Sequence, residues 1–190
     1  PCIAMPEHEH WGRVYEGFSE DRDLTIEATS ASVRGLQGNN LAARNTVAST
    51  AKHYLGDGAT QGGVEGGNAV MSDQVMRERH LPTYATAVDE GAAAIMVGFN
   101  SYNGVNMHQN GYLVDEVLKG ELGFEGVVLT DWNGGLRFGE PHTVINAGID
   151  IAMQPGNHEE FMTKLKASVL DGTVNMQRID DAVRRILHLK

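Results

Sequence analysis

Apolar and polar positions alternate along this chain in two rhythms. Short apolar runs occupy residues 2–6, 47–55, 93–99, 126–130 and 149–154. Each is too short for a helix and suits a strand buried on both faces. Between them lie longer stretches with helical spacing. These predict helices over 21–36, 72–90, 112–122, 140–147, 158–170 and 175–189. In the last, Ile179, Ala182, Val183, Ile186 and Leu187 share one face. Ser72 or Asp73 caps the second helix, Gly91 closes it, and Pro82 predicts a kink or break inside it.

Strand and helix thus alternate about five times, which predicts an α/β fold of parallel strands joined by right-handed crossovers. Two architectures fit, an open doubly wound sheet and a (β/α) barrel. The polar and aromatic clusters at 7–13, 52–60, 99–108, 131–135 and 154–157 all follow predicted strands. Both architectures place their sites at such strand ends. About five units cannot close an eight-stranded barrel, so the barrel reading expects roughly three N-terminal strands outside this stretch. No Gly-rich dinucleotide fingerprint or Walker lysine is present, and Gly56-Asp57-Gly58 matches neither.

The run Gly126-Val127-Val128-Leu129-Thr130 stops on Asp131-Trp132-Asn133-Gly134-Gly135. A carboxylate at the end of a buried strand is costly without a task or a partner. Asp131 is therefore a candidate catalytic carboxylate, against the alternative of an Asx turn or helix cap. Lys52 and His53 end the second run and can donate to substrate hydroxyls. Trp11, Arg13 and Glu16 combine an apolar platform with a rigid fork of donors, which suits a sugar ring. Against that stands an entry loop held by an Arg–Glu pair. Phe99, Asn100, Ser101, Tyr102, Asn103, Met107 and His108 add aromatics and neutral donors, or form a hydrogen-bonded turn. Trp132 is a candidate platform or a packed core residue. His8-Glu9-His10 offers a His-x-His metal pair, or a plain surface loop. His80, His142, His158 and His188 are expected to be exposed. No nucleophile elbow occurs.

Composition narrows this modestly. The chain has 190 residues, 41% of them hydrophobic, and a net charge of -10. That length suits one domain. The acidic balance argues against nucleic-acid or anionic-membrane partners. No run approaches the roughly 18 apolar residues of a membrane span. A single Cys2 excludes an internal disulfide framework and a Cys-rich zinc site. Beginning at Pro1 without Met, the sequence reads as part of a longer chain.

Five ordered motifs then resemble glycoside hydrolase family 3. They are Trp-Gly-Arg-Val-Tyr-Glu-Gly-Phe-Ser-Glu-Asp (11–21), Ala-Lys-His-Tyr-Leu-Gly-Asp-Gly (51–58), Phe-Asn-Ser-Tyr-Asn-Gly (99–104), Leu-Gly-Phe-Glu-Gly-Val-Val-Leu-Thr-Asp-Trp (122–132) and Arg-Ile-Asp-Asp-Ala-Val-Arg-Arg-Ile-Leu (178–187). The resemblance implies an incomplete TIM-like (β/α)8 barrel over 1–190, the catalytic domain of a retaining exo-acting β-glucosidase or exo-1,3/1,4-β-glucanase. It implies that Asp131 is the nucleophile, and that Arg13, Lys52 and His53 bind hydroxyls of the terminal sugar. Trp132 would flank the neighbouring sugar. Phe99 stands where many members carry Tyr, and Met107-His108 resembles the glucanase branch. The substrate implied is a β-glucoside or β-glucan oligosaccharide, with no cofactor and no metal. A second carboxyl must act as acid/base, and in that branch it comes from a second domain beyond these residues. Residues 1–190 alone are therefore expected to be inactive. The resemblance also favours a secreted or periplasmic location. Two other readings remain: a metal-dependent barrel hydrolase using His8 and His10, and a non-catalytic sugar-binding module.

Overall fold

The computed structural model describes all 190 residues, which form two compact units, Pro1–Met107 and His108–Lys190.

In the first unit, helix α1 (Arg22–Gln37) starts on Asp21, whose carboxylate accepts the Leu24 N–H at 2.9 Å. It ends at Gly38, whose φ of +56° suits glycine. Strand β1 (Thr50–Tyr54) follows, then the two-residue strand β2 (Asn68–Ala69). Ser72 caps α2 (Asp73–Val75), as its position predicts. A wider π-wound turn, Met76–His80, then leads into α3 (Leu81–Asp89), with Pro82 in its first turn. The break expected at Pro82 is thus a change of winding just before it. Strand β3 (Ala94–Val97) comes next. Strands β4 (Ser101–Tyr102) and β5 (Val105–Asn106) make a two-residue hairpin. Its turn is Asn103-Gly104, with φ of 47° and 87°, the conformation Asn-Gly favours.

Strands β1 and β3 pair in parallel, with a register shift between Ala51 and Tyr54. Residues 2–6 contribute a parallel bridge between Cys2 and Lys52 rather than a full strand. The Ile3 N–H donates to the Lys52 carbonyl at 2.7 Å. One side chain ties helix to sheet. Gln37 at the end of α1 donates to the Gly91 carbonyl at 2.8 Å, and its Oε1 accepts the N–H groups of Ser49 and Ala93, each at 2.9 Å. It thereby links the approaches to β1 and β3. Tyr54 and Tyr84 pack edge-to-face, 4.9 Å between centroids, and both are buried. His80, expected on the surface, is 2% exposed. The Glu7 carboxylate stands 3.4 Å from its Nε2.

The second unit opens with the π-wound helix Tyr112–Glu121, which buries Leu113, Val114, Val117 and Leu118. Strand β6 (Val127–Leu129) follows, then α4 (Gly134–Arg137), α5 (Pro141–Asn146), α6 (His158–Leu170) and α7 (Met176–Leu189). Helix α4 is absent from the sequence-based expectation, because its two leading glycines read as a plain turn. The strand expected over 149–154 shrinks to one parallel bridge, Leu129 to Ile151. The cause is local. The N–H groups of Asp150 and Ile151 both donate to the Val128 carbonyl, at 2.8 and 3.1 Å, so two residues face one as in a bulge.

Asp150 fastens this unit. Its carboxylate accepts the Val128 N–H at 2.9 Å and the Lys119 ammonium at 2.8 Å, and it also meets the Arg178 guanidinium. Arg185 on α7 donates to the carbonyls of Phe124 and Gly126 at 2.7 and 3.0 Å. Helix α7 is thereby held against the entry to β6. Its apolar face is less buried than its periodicity predicts, for Val183 and Leu187 are 47% and 65% exposed. The overall class agrees with expectation: parallel strands alternate with helices.

Candidate active site

The second unit carries the candidate nucleophile. Asp131 immediately follows Thr130, whose N–H continues the parallel pairing by donating to the Ile151 carbonyl at 3.0 Å. The Thr130 hydroxyl accepts the Met153 N–H at 2.8 Å, which closes the strand end. The chain then turns, with the Gly134 N–H donating to the Asp131 carbonyl at 2.9 Å. Asn133 sits at the turn with φ of 56°, and its side-chain oxygen accepts the Gly156 N–H at 3.2 Å. Asp131 is half-buried, and its Oδ1 accepts the Trp132 N–H at 2.6 Å. The Trp132 side chain is 57% exposed, so its indole face is open to a ligand.

Behind this turn lies His108, 0% exposed, with Nε2 accepting the Asp131 N–H at 3.1 Å. Its ring stacks on Phe138, 4.6 Å between centroids and 28° between planes. Burial, with the nearby Arg137 charge, pushes the imidazole pKa down to about 3. The ring is therefore neutral near pH 7, and its proton lies on Nδ1 because Nε2 is the acceptor.

The first unit gathers a charged cluster. Arg13 forms a bidentate pair with Glu16, at 2.7 Å from Nε and 2.9 Å from Nη2. Its Nη1 reaches Glu65 at 3.2 Å. Glu65 also accepts the Trp11 indole N–H at 2.8 Å. Trp11 is 2% exposed. It is an anchor of this cluster, not the open platform its sequence position suggests. Lys52 lies 3.6 Å from Glu16, and the peptide bond joining it to His53 is cis. The hydrogen bonds to Glu16 raise the Arg13 pKa above its ordinary value and lower that of Glu16.

His53 is 1% exposed, with Nδ1 3.1 Å from Asp57 Oδ2 and Nε2 3.1 Å from Arg13 Nη2. The guanidinium can only donate there. In the neutral ring His53 Nε2 is therefore the acceptor and the proton sits on Nδ1 facing Asp57; burial opposes a second proton, but the bond to Asp57 outweighs it and raises the imidazole pKa to about 9. A hydroxyl that reaches His53 must share it with Arg13. The charged faces open to a ligand are those of Arg13 and Lys52, whose side chains keep 22% and 33% exposure.

Two expected contact residues need correction. Met107 and His108 are both 0% exposed, so neither offers a surface to a sugar. Met107 fills the core, and His108 works on the Asp131 backbone. Phe99 is half-buried, and its carbonyl accepts the Asn106 amide at 3.0 Å. The His8 and His10 rings lie 5.3 Å apart, and the His10 N–H donates to His8 Nδ1 at 3.2 Å. No group of three or more His, Cys, Asp or Glu side chains gathers anywhere to hold a metal ion. No helix is long and apolar enough to cross a membrane.

Sequence reasoning misses Glu65, for nothing along the chain links it to Trp11 and Arg13, more than 50 positions earlier. Asp57 reads along the chain as a loop residue only, although its i, i+4 spacing from His53 is visible there. Gly134 reads as a turn-former, whereas it packs against the His108 ring.

Parallel strands alternating with helices, with a half-buried carboxylate at one strand end, make this an α/β protein, and its TIM-like barrel class rests on the superposition given below. The sequence matches the glycosyl hydrolase family 3 N-terminal domain over residues 1–189, and the chain belongs to that family. It is 31% identical to a periplasmic β-glucosidase of Salmonella typhimurium over its full length, and 36% identical to a lysosomal β-glucosidase of Dictyostelium discoideum. It spans about a quarter of those proteins, 26% and 25% of their lengths. Its structure superposes on the exo-1,3/1,4-β-glucanase of a Pseudoalteromonas species with a TM-score of 0.92 and 37% identity, covering 97% of this chain and 24% of that one. A mutant β-glucosidase of Listeria innocua in complex with laminaribiose gives a TM-score of 0.91 and 30% identity, covering 100% of this chain and 28% of that one.

Proposed function

We propose that this chain is the nucleophile-bearing part of a retaining, exo-acting β-glycosidase that removes terminal β-D-glucosyl residues from β-glucosides or β-glucan oligosaccharides. The observation that carries the reading is Asp131, a half-buried carboxylate at a strand end whose backbone N–H, carbonyl and Oδ1 are all fixed by hydrogen bonds. Such fixation prepays the orientation of an attacking oxygen. Family membership and the β-glucosidases among its relatives support the choice of substrate.

In this mechanism an Asp131 oxygen attacks the anomeric carbon as the glycosidic bond breaks. The leaving oxygen takes a proton from a second carboxyl group. The covalent glycosyl-enzyme is then hydrolysed by water, which that second group activates as a base. We assign the acid/base to a second domain outside residues 1–190. Arg13 and Lys52, with His53 behind Arg13, bind hydroxyls of the terminal sugar, Phe99 lines its surroundings, and Trp132 flanks the adjoining one. The reaction requires no metal or cofactor.

The test is azide rescue of Asp131→Gly in the intact enzyme with an activated aryl glucoside. The expected result is loss of hydrolysis, restored by azide with α-glucosyl azide as product. A variant that hydrolyses the substrate without azide overturns the assignment. Glucose binding by the wild type without any covalent intermediate would instead favour a sugar-binding module.

A further inference from the structure

Among the buried polar side chains of the second unit, His108 stands out because it touches no expected ligand and yet bonds the candidate nucleophile. We infer that His108 is a positioning residue that sets the Asp131 carboxylate for attack by holding its backbone N–H on a neutral imidazole, and is not a sugar ligand. The inference rests on the reading of Asp131 as nucleophile.

Three observations carry it. First, the bond from the Asp131 N–H to Nε2, at 3.1 Å, acts on the residue whose side chain reacts. Rotation of that peptide would swing Cα–Cβ and the carboxylate with it. Second, the ring cannot yield. It is 0% exposed and lies flat against Phe138 at 4.6 Å. Gly134 packs against its Nε2–Cδ2 edge, where an added Cβ would stand 2.5 Å from Nε2 and 2.6 Å from Cδ2. Third, the acceptor is always available. Burial pushes the imidazole pKa down to about 3, so Nε2 retains its lone pair near neutral pH. A carboxylate or amide acceptor would also bind the N–H. A carboxylate, however, would place a second negative charge behind the nucleophile. A neutral ring fixes the backbone without that cost.

The bonded N–H and the Asp131 carboxylate are joined through one Cα, and the bond itself touches no sugar-binding side chain. Losing the bond therefore affects the rate of attack rather than ground-state sugar binding. A misplacement near 1 Å costs on the order of 100-fold in rate.

The experiment compares wild type, His108→Leu and His108→Gln in the intact enzyme. It measures covalent trapping by 2,4-dinitrophenyl 2-deoxy-2-fluoro-β-glucoside, whose leaving group needs no acid assistance. The inactivation rate constant reads attack, and the inhibitor constant reads binding. His108→Leu fills the space but accepts no hydrogen bond. It is expected to lower the rate constant about 10- to 100-fold with the inhibitor constant within about 2-fold. His108→Gln carries an amide oxygen near the Nε2 position and is expected to recover most of the loss. Three results overturn the inference. These are trapping of His108→Leu at the wild-type rate, a raised inhibitor constant with an unchanged rate constant, and equal loss in both variants tracking a fall in Tm. Peptide mapping of the wild-type adduct separates the two claims. An adduct on a residue other than Asp131 overturns the nucleophile reading itself, whatever the variants do.

Discussion

Replacing Gly134 with alanine tests how tightly the nucleophile turn is built. The new Cβ would stand 2.5 Å from His108 Nε2, 2.6 Å from its Cδ2 and 2.7 Å from Thr130 Cβ. Comfortable contacts lie near 3.5–4.0 Å, so the ring and the turn must part by about 1 Å. Neither neighbour is the loose end of a flexible side chain. Thr130 is 0% exposed with its hydroxyl held by the Met153 N–H at 2.8 Å, and the ring stacks on Phe138. A shift of that size carries the Asp131 N–H to Nε2 bond from 3.1 Å out of hydrogen-bonding range. Overpacking costs about 1–3 kcal/mol, and stranding a buried donor adds about 1–3 kcal/mol. Alanine's better helix propensity returns less than about 1 kcal/mol. The expected loss is therefore about 2–5 kcal/mol, read by urea unfolding followed by circular dichroism. The clash is shared between two residues, so removing the ring should relieve part of it. Gly134→Ala made in a His108→Ala background should cost less than in wild type, by about 1 kcal/mol or more. A Gly134→Ala variant within about 0.5 kcal/mol of wild type would refute the packing argument.

Three further outcomes follow from the same geometry. Glu7 has its pKa lowered to about 2: burial opposes ionisation, but the bonds to His80 and Arg79 outweigh it. A depressed carboxylate stabilises the fold above its unfolded pKa, near 4.3. Glu7→Gln should therefore lose about 1–3 kcal/mol near neutral pH, and its deficit against wild type should vanish as pH falls from about 4.5 towards 2; a deficit that grows on acidification contradicts this. Asp150→Asn leaves Lys119, whose side chain is 5% exposed, and Arg178 without their buried counter-charge, and should cost about 3–5 kcal/mol by urea unfolding. A long-range proton–nitrogen spectrum of ring-labelled protein should show His53 carrying its one proton on Nδ1 once the ring is neutral, above its raised pKa of about 9; a neutral ring protonated on Nε2 would show that Arg13 is not its donor.

The class of fold was legible because it rests on period. Short apolar runs and helical spacing are local properties, and α6 and α7 start within a residue of their predicted limits. What depended on one side chain reaching across the fold was not legible. Asp150 reads as an interruption in an apolar run, and only the structure shows it accepting from Val128, Lys119 and Arg178. His80 carries no mark of its burial, because its partner Glu7 is remote in sequence. At the site, Asp131 and Trp132 stand out from the strand end alone, and the ordered motifs draw in Arg13, Lys52 and His53. The bridging role of Glu65 and the supporting role of His108 needed coordinates. A buried imidazole bonded to a backbone N–H looks the same in sequence as one that meets a ligand.

The central claim is that Asp131 forms the covalent bond to the sugar. The direct measurement is mass spectrometry of peptides from the intact enzyme after inactivation by a 2-deoxy-2-fluoro-β-glucoside. A single peptide should gain one fluoroglucosyl group, and fragmentation should place that group on Asp131. An adduct on any other carboxylate, or turnover of the inhibitor with no adduct at all, would contradict the claim.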